Sequence, residues 1–313
     1  MSLFPKNINE YLMLSGIPRG PYSNVYVVDT VNGSDSNNGT SVQWPLASVE
    51  AAYALCTDAQ HDVVLMIAGA TANNLTATIA WSKNYTHLVG WSPDMPGMGQ
   101  RCRIVGTTAV DPVALITFSG QGCIVKNIKF SNEKDADVDS GAVVVSGNRC
   151  YFKNCTFEGM QNTTVAARAG SYSLKVTGSE NYFEDCNIGY DSITRGAGEP
   201  PELLLATGCS KAVFNHCRIL TRSETITASP VSITATNLGY VEFDNCIFVN
   251  TSTNWAVSLT DCFSITATGT HYVALRGNNQ LVGITGWADT ATRIYQNQAA
   301  PDGTGGTNVA PTT

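Results

Sequence analysis

A seven-residue pattern that returns five times along the chain constrains its possible folds most strongly. The copies occupy residues 124–130, 151–157, 182–188, 213–219 and 242–248, and successive copies begin 27 to 31 residues apart. Self-similarity with a period of this size is typical of a solenoid, in which each repeat forms one coil and buries its apolar face against its neighbours. The residue types inside the pattern must then decide which kind of solenoid it is.

Those residue types indicate strands rather than helices. In the copy at residues 151–157, Phe152, Cys155 and Phe157 are apolar or thiol, and polar residues lie among them. Two short alternating runs therefore meet at the fourth position, whereas a helical repeat would need apolar residues spaced three and four apart over about ten positions. The fourth position is predicted to be a bend, because its occupants tolerate left-handed backbone or bond their own backbone locally. These occupants are Asn127, Asn154, Asp185, His216 and Asn245.

A further β-rich run precedes each copy of the pattern. These runs are residues 113–118, 142–145, 173–176, 202–205 and 231–234, and the first four are followed by Gly120, Gly147, Gly178 and Gly208. One coil then holds three short strands and three turns. The sequence therefore predicts an all-β parallel β-helix.

This arrangement resembles the right-handed parallel β-helix of the pectate-lyase superfamily, over roughly residues 25–290. The resemblance implies that the asparagines stack at a tight bend between two sheets, and right-handed winding also agrees with the general preference of parallel crossovers. It implies a fold and does not specify an activity. The opening of the chain, with a strand, a polar loop, a proline and a short helix, is also similar to the β-helix proteins of tailed-phage virions.

Stacked coils place equivalent side chains above one another, about 4.8 Å apart. We therefore expect an internal aromatic column of Phe152, Phe183, Phe214 and Phe243, and an internal thiol column of Cys155, Cys186, Cys217 and Cys246. The chain has 10 cysteines. We expect them to be buried, reduced side chains that pack as small hydrophobes, with an occasional disulfide between coils as the alternative.

The ends of the chain differ from its repetitive centre. We expect an anchoring arm at residues 1–24, the β-helix domain at residues 25–295 and a flexible tail at residues 296–313. A short amphipathic helix that begins at Pro45 is predicted to cap the N-terminal end of the solenoid, because an open end would expose unpaired strand edges.

Composition and charge exclude some classes of partner. Charged residues make up 14% of the chain, against about 25% in typical domains, which predicts a surface rich in hydroxyl and amide groups. The net charge of −7 disfavours nucleic acid and anionic membranes as partners. No run of apolar residues is long enough to predict a membrane span.

One acidic run invites comparison with a calcium loop. Asp135, Asp137 and Asp139 alternate as the first ligands of such a loop do, but the glycine comes one place late and Ser146 stands where the bidentate glutamate would be. A solvated turn is the favoured interpretation, and we predict no cofactor.

Two groups of residues are catalytic candidates. Asp185 and His216 share the bend position on successive coils, where they could form a charge-assisted pair, although variation in a structural ladder is the favoured interpretation. A glycosidase site, which needs two carboxylates about 5 to 9.5 Å apart, could be built from Glu184, Asp191, Glu199 and Glu202, with Arg195 nearby in sequence. No catalytic motif of a known family can be carried onto these residues.

The favoured function at this stage is a non-enzymatic structural protein of a tailed-phage virion, either a capsid decoration or a head-fibre protein. It would be a homotrimer, assembled in the host cytoplasm and bound through residues 1–24 to the major capsid protein or another virion protein. This expectation rests on the absence of a secretion-signal pattern, the reduced thiols, the low charge and the similarity to phage proteins. The alternative is a tailspike-like polysaccharide depolymerase, or a β-helix that binds a surface glycan.

Overall fold

A computed structural model describes residues 8, 11–12, 15–92, 102–106, 112–235, 239–266, 271–288 and 294–296. Nearly all of its regular elements are short strands. In chain order they are β1 (Val25–Val28), α1 (Val49–Leu55), β2 (Val63–Ile67), β3 (Asn73–Asn74), β4 (Ile79–Trp81), β5 (His87–Trp91), β6 (Arg103–Gly106), β7 (Ile116–Phe118), β8 (Ile124–Lys126), β9 (Lys129–Asn132), β10 (Val143–Val145), β11 (Tyr151–Lys153), β12 (Thr156–Glu158), α2 (Thr163–Ala166), β13 (Leu174–Val176), β14 (Tyr182–Glu184), β15 (Asn187–Gly189), β16 (Leu203–Leu205), β17 (Ala212–Asn215), β18 (Arg218–Thr221), β19 (Val231–Ile233), β20 (Gly239–Asp244), β21 (Ile247–Asn250), a 3-10 turn (Thr253–Trp255), β22 (Leu259–Ile265), β23 (His271–Arg276), β24 (Gln280–Val282), β25 (Ile284–Ala288) and β26 (Ile294–Gln296).

The strands form three parallel sheets that the chain visits in turn. Sheet A has the order β1-β2-β5-β8-β11-β14-β17-β20-β23-β26, sheet B the order β3-β6-β9-β12-β15-β18-β21-β24, and sheet C the order β4-β7-β10-β13-β16-β19-β22-β25. Each strand pairs with the equivalent strands of neighbouring coils, as in the parallel register of Phe152 with Phe183 and of Phe183 with Phe214. The predicted parallel β-helix is confirmed.

The bend between sheets A and B has the backbone that the sequence pattern predicts. The five fourth-position residues all have positive φ, between 50° and 58°. Their backbone N–H groups bond to the next coil, as from Asp185 to the Asn215 carbonyl at 3.0 Å. Where successive coils both have asparagine at the bend, the two side chains also form a hydrogen bond: Asn154 Nδ2 donates to Asn127 Oδ1 at 2.8 Å. The bend is therefore set by local conformation and by stacking together.

Glycines close the turn from sheet C to sheet A for a steric reason. A Cβ atom on Gly147 would overlap the carbonyl oxygen of Gly120, and one on Gly178 would overlap the carbonyl oxygen of Gly147. Stacked coils approach so closely here that a side chain cannot be accommodated.

The interior holds the two predicted columns. The rings of Phe152, Phe183, Phe214 and Phe243 stack with centroids 4.8 to 4.9 Å apart. Each thiol of the second column donates to a carbonyl of the preceding coil, as Cys217 does to Phe183 at 3.5 Å. All ten cysteines are free and buried, and burial raises the pKa of Cys155 and Cys217. The columns are packing features of the core.

The N-terminal cap is present but begins later than predicted. Ser48 is the N-cap of α1, and its side chain accepts a hydrogen bond from the Ala51 N–H at 3.2 Å. Pro45 is not the first helical residue, because the next residue, Leu46, pairs with β1: its N–H donates to the Val27 carbonyl at 2.9 Å. Tyr53 of the helix then stacks on Trp81, with centroids 4.2 Å apart.

The described part of residues 1–24 lies on the outer face of sheet A. Leu12 and Ile17 are buried there with Val63, Leu65 and Val89. The anchoring role expected for residues 1–24 stays a prediction, and the tail expected at residues 296–313 lies almost wholly outside the described residues. In the described part of the chain, no helix has the length and apolar character needed to cross a bilayer.

Candidate functional site

Glu202 is sealed inside the protein and paired with Arg195. The two residues are 0% and 2% exposed, and the Arg195 Nε and Nη2 atoms lie 2.7 and 2.6 Å from Glu202 Oε1. Ser173 donates to the other carboxylate oxygen at 2.7 Å. Burial raises the pKa of Glu202, although Arg195, Ser173 and Thr221 act in the opposite direction. A substrate has no access to this carboxylate.

Glu199, by contrast, lies near the surface. Its carboxylate accepts hydrogen bonds from Thr227 Oγ1 at 2.9 and 3.1 Å. Of Glu199 and Glu202, only Glu199 is therefore open to solvent. A two-carboxylate site is not assembled from this pair.

The acidic run at residues 135–139 is engaged by neighbouring side chains. Arg168 pairs with Asp137 and donates from Nε to Asp139 Oδ1 at 3.0 Å, and Thr164 donates to Asp135 at 3.1 Å. Among the described residues, no group of three or more histidine, cysteine, aspartate or glutamate side chains is arranged to hold a metal ion.

Asp185 and His216 line one groove, as their shared position on successive coils predicts, but among the described residues no hydrogen bond or ion pair joins them. The groove follows the bend between sheets A and B and has a volume of about 210 Å³. We call it the bend groove, and its lining residues are Asp185, Asn187, His216, Cys217, Arg218, Asn245 and Ile247. It therefore spans three coils, each contributing its bend residue and the residue two positions later.

On the outer face of sheet A beside the groove, polar and charged side chains pair with one another. Lys153 Nζ lies 2.7 Å from Glu184 Oε1 and 3.9 Å from Asp185 Oδ2, and the Tyr151 hydroxyl donates to Glu184. Partial burial favours a higher pKa for Glu184, but the bonds from Lys153 and Tyr151 outweigh it and lower the pKa. Burial, followed by the bond to Glu184, raises the pKa of Tyr151.

Inside the groove, two donors lack such partners. Asn187 is 4% exposed, and no described residue accepts a hydrogen bond from its Nδ2 atom. Arg218 is exposed and forms no ion pair with a described residue. Sequence reasoning missed both residues. The available signal was their place at the sixth position of the repeat, in register on adjacent strands β15 and β18.

Such a groove can carry acid–base chemistry on a polar ligand. A carboxylate beside an imidazole can move a proton, while a guanidinium and an amide can hold oxygen atoms of the ligand. These groups come from strands of sheet B and from the bends that precede them, and stacked strands and bends are the kind of support that a precise site requires.

Comparison with known proteins identifies the fold. No protein-family model matches the chain. Pectinesterase 31 of Arabidopsis thaliana is 27% identical over 178 residues, covering 53% of this chain and 49% of that protein, so the chain spans about half the length of this curated relative. The solved structure of pectin methylesterase PemA from Erwinia chrysanthemi superimposes with a TM-score of 0.54 at 17% identity, covering 88% of this chain and 81% of that chain. A pectate lyase structure gives a TM-score of 0.55 at 17% identity, covering 83% and 64%.

These comparisons correct the expected function. The similar proteins are a pectinesterase, a pectin methylesterase and a pectate lyase, which are carbohydrate-active enzymes. The expectation of a non-enzymatic virion protein, whether capsid decoration or head fibre, is therefore wrong. It depended on a fold-level analogy, and one fold hosts many functions. The similarity to phage proteins receives no support, and the chain is a right-handed parallel β-helix of the pectate-lyase-like type.

Proposed function

We propose that this protein is an enzyme that acts on polysaccharides of the pectin class, and that the bend groove is its reactive site. The observation that carries the proposal is that one groove gathers a carboxylate, an imidazole, a guanidinium and an unpartnered amide donor. The sequence similarity to a pectinesterase supports the same substrate class.

The reaction that these groups favour is hydrolysis of a carboxylic ester on the polysaccharide. His216 takes a proton from a water molecule while the water oxygen bonds to the ester carbonyl carbon. The bond from that carbon to the alkoxy oxygen then breaks, and His216 returns the proton to the leaving alcohol. The products are an alcohol and a carboxylic acid, which ionises at neutral pH. Asp185 stabilises the charged form of His216 between the two steps.

Other reactions of polysaccharides fit the groove less well. Hydrolysis of a glycosidic bond uses two carboxylates, and Asp185 is the only carboxylate among the groove residues. A calcium-assisted lyase needs several carboxylate ligands in one place, and in the described part of the chain the acidic run at residues 135–139 is held by Arg168 and Thr164.

The test is an assay on methyl-esterified pectin that records methanol, new reducing ends and unsaturated products in parallel. We expect methanol release, reduced about 100-fold or more in His216→Asn and Asp185→Asn, because general acid–base catalysis contributes about that much. Glu242→Gln is the matched control. Glu242 lies on β20 of sheet A, outside the groove, in a pair with Arg276.

Three results would overturn the proposal. Unsaturated products or reducing ends without methanol would assign a different reaction. Full activity of His216→Asn would place the chemistry elsewhere on the molecule. The absence of any product from any pectin preparation would exclude an enzyme of this class and favour a protein that only binds glycans.

A further inference from the structure

We infer that Asn187 and Arg218 form a specificity subsite in the bend groove that binds a singly charged carboxylate on a sugar residue. This inference rests on the proposed function for its polysaccharide ligand. Its evidence is separate from the proposed acid–base pair, because it concerns two donors at the groove, Asn187 Nδ2 and the Arg218 guanidinium, that have no partner among the described residues.

The Asn187 amide is the stronger of the two observations. A buried amide donor without a partner costs free energy, and nearly all buried polar groups in native proteins are paired. Asn187 nevertheless lines the groove with a buried Nδ2 atom that has no hydrogen-bond partner among the described residues. In the adjoining coils the same position holds Thr156 and Arg218, so the stacking of sheet B does not itself require an asparagine.

Arg218 supplies the complementary charge. Other cations close to the groove or on the same coils are engaged: Lys153 with Glu184, Lys129 with Glu158, Arg195 with Glu202 and Arg276 with Glu242. Arg218 is not paired with any described residue. A guanidinium that is open to a groove suits a planar carboxylate, which it can bind through two parallel bonds.

The register of the two residues indicates which chemical group of a ligand they can bind together. Asn187 and Arg218 are direct neighbours on adjacent parallel strands, which lie about 4.8 Å apart. A carboxylate with two acceptor oxygens can bridge two such donors. Asp185 lines the same groove, and its negative charge disfavours a doubly charged group such as a phosphate monoester. The subsite therefore favours a carboxylated sugar over a neutral or a phosphorylated one.

Calorimetric titration of the 313-residue chain with trigalacturonate and with neutral galactotriose tests the inference directly. The wild-type protein should bind the acidic trimer about tenfold or more tightly, and Arg218→Met should bring the two affinities together. Arg276→Met, which alters a paired arginine on sheet A, should keep the preference. Equal affinities in the wild-type protein, or an undiminished preference in Arg218→Met, would overturn the subsite, as would failure to bind the acidic trimer.

Asn187→Leu separates a binding role from a structural role. It removes an unsatisfied donor at similar size, so the melting temperature should be equal or higher while affinity for trigalacturonate falls about tenfold. A lower melting temperature with unchanged affinity would show that Asn187 is structural. If the preference for the acidic trimer is present but methanol release is not, the subsite stands and the proposed reaction fails.

Discussion

The Arg195–Glu202 pair and the bend groove use the same kinds of side chain in opposite ways. In the first, carboxylate and guanidinium face each other in the interior, and Ser173 adds a further hydrogen bond to the carboxylate. In the second, Asp185 and Arg218 line a groove together with the buried amide of Asn187, and neither Asn187 Nδ2 nor the Arg218 guanidinium has a partner among the described residues. A buried charged pair whose hydrogen bonds are all made within the protein holds one arrangement of the chain in place. An incomplete set beside an opening can serve a ligand.

The largest effect on stability should follow from breaking the Arg195–Glu202 pair. Glu202→Ala leaves Arg195 buried without its counter-charge, and we expect a loss of about 3–5 kcal/mol in the free energy of unfolding. Glu242→Ala is the control, because its partner Arg276 is exposed and surface pairs contribute about 1 kcal/mol or less. Denaturant unfolding measures both, and equal losses would remove the distinction between the two regions.

The groove should show the reverse behaviour in His216→Asn. Activity on esterified pectin should fall about 100-fold or more. The free energy of unfolding should change by less than about 0.5 kcal/mol, because asparagine accepts the positive φ of this bend well. Kinetics and unfolding are measured on the same preparation, and a destabilisation as large as that of Glu202→Ala would show that the bend residue is structural.

A bend outside the groove sharpens the contrast. Asn154→Ala loses the buried hydrogen bond to Asn127 and places alanine at a φ of 50°. We expect a cost of about 1–2 kcal/mol in the free energy of unfolding, with unchanged turnover of pectin. Reduced turnover without a loss of stability would extend the functional region beyond the groove.

The smallest effect concerns the pH dependence of stability at Glu184. Its pKa is lowered in the folded protein from the ordinary value of 4.5. The unfolded chain therefore takes up a proton first as the pH falls. The contribution of the pair with Lys153 is present above about pH 4.5 and is lost as the pH falls through the folded-state pKa. Glu184→Gln should flatten the decline of stability in this range, by less than about 1 kcal/mol. An unchanged acid profile would show that the pair contributes nothing measurable.

Most of the fold could be predicted from the sequence because each coil repeats the same physical requirement. Phe152 and Cys155 recur at fixed positions because every coil must fill the same interior, and Asn154 recurs because every coil must turn at the same place. The start of the helix could not be predicted as well. Pro45 is a good first helical residue by type, but strand pairing of Leu46 with β1 takes precedence.

The site was harder to predict because accessibility depends on loops. Glu202 was a candidate for a glycosidase site with Arg195 close by in sequence, yet both side chains are buried in the folded chain. Asp185 and His216 could be brought together from the repeat alone. Asn187 and Arg218 were overlooked because a polar residue on an outer strand position is ordinary, and only the structure shows that neither has a partner in the described part of the chain.

The in-register stacking of the coils has a consequence for how such a groove can change in evolution. Duplication of one repeat, 27 to 31 residues in this chain, would lengthen the groove by one coil, about 4.8 Å, without disturbing the coils on either side. The length of polymer that the protein can hold would then grow by one coil with each duplication. The chemistry that each added coil brings to the groove could vary through one bend residue and one strand residue.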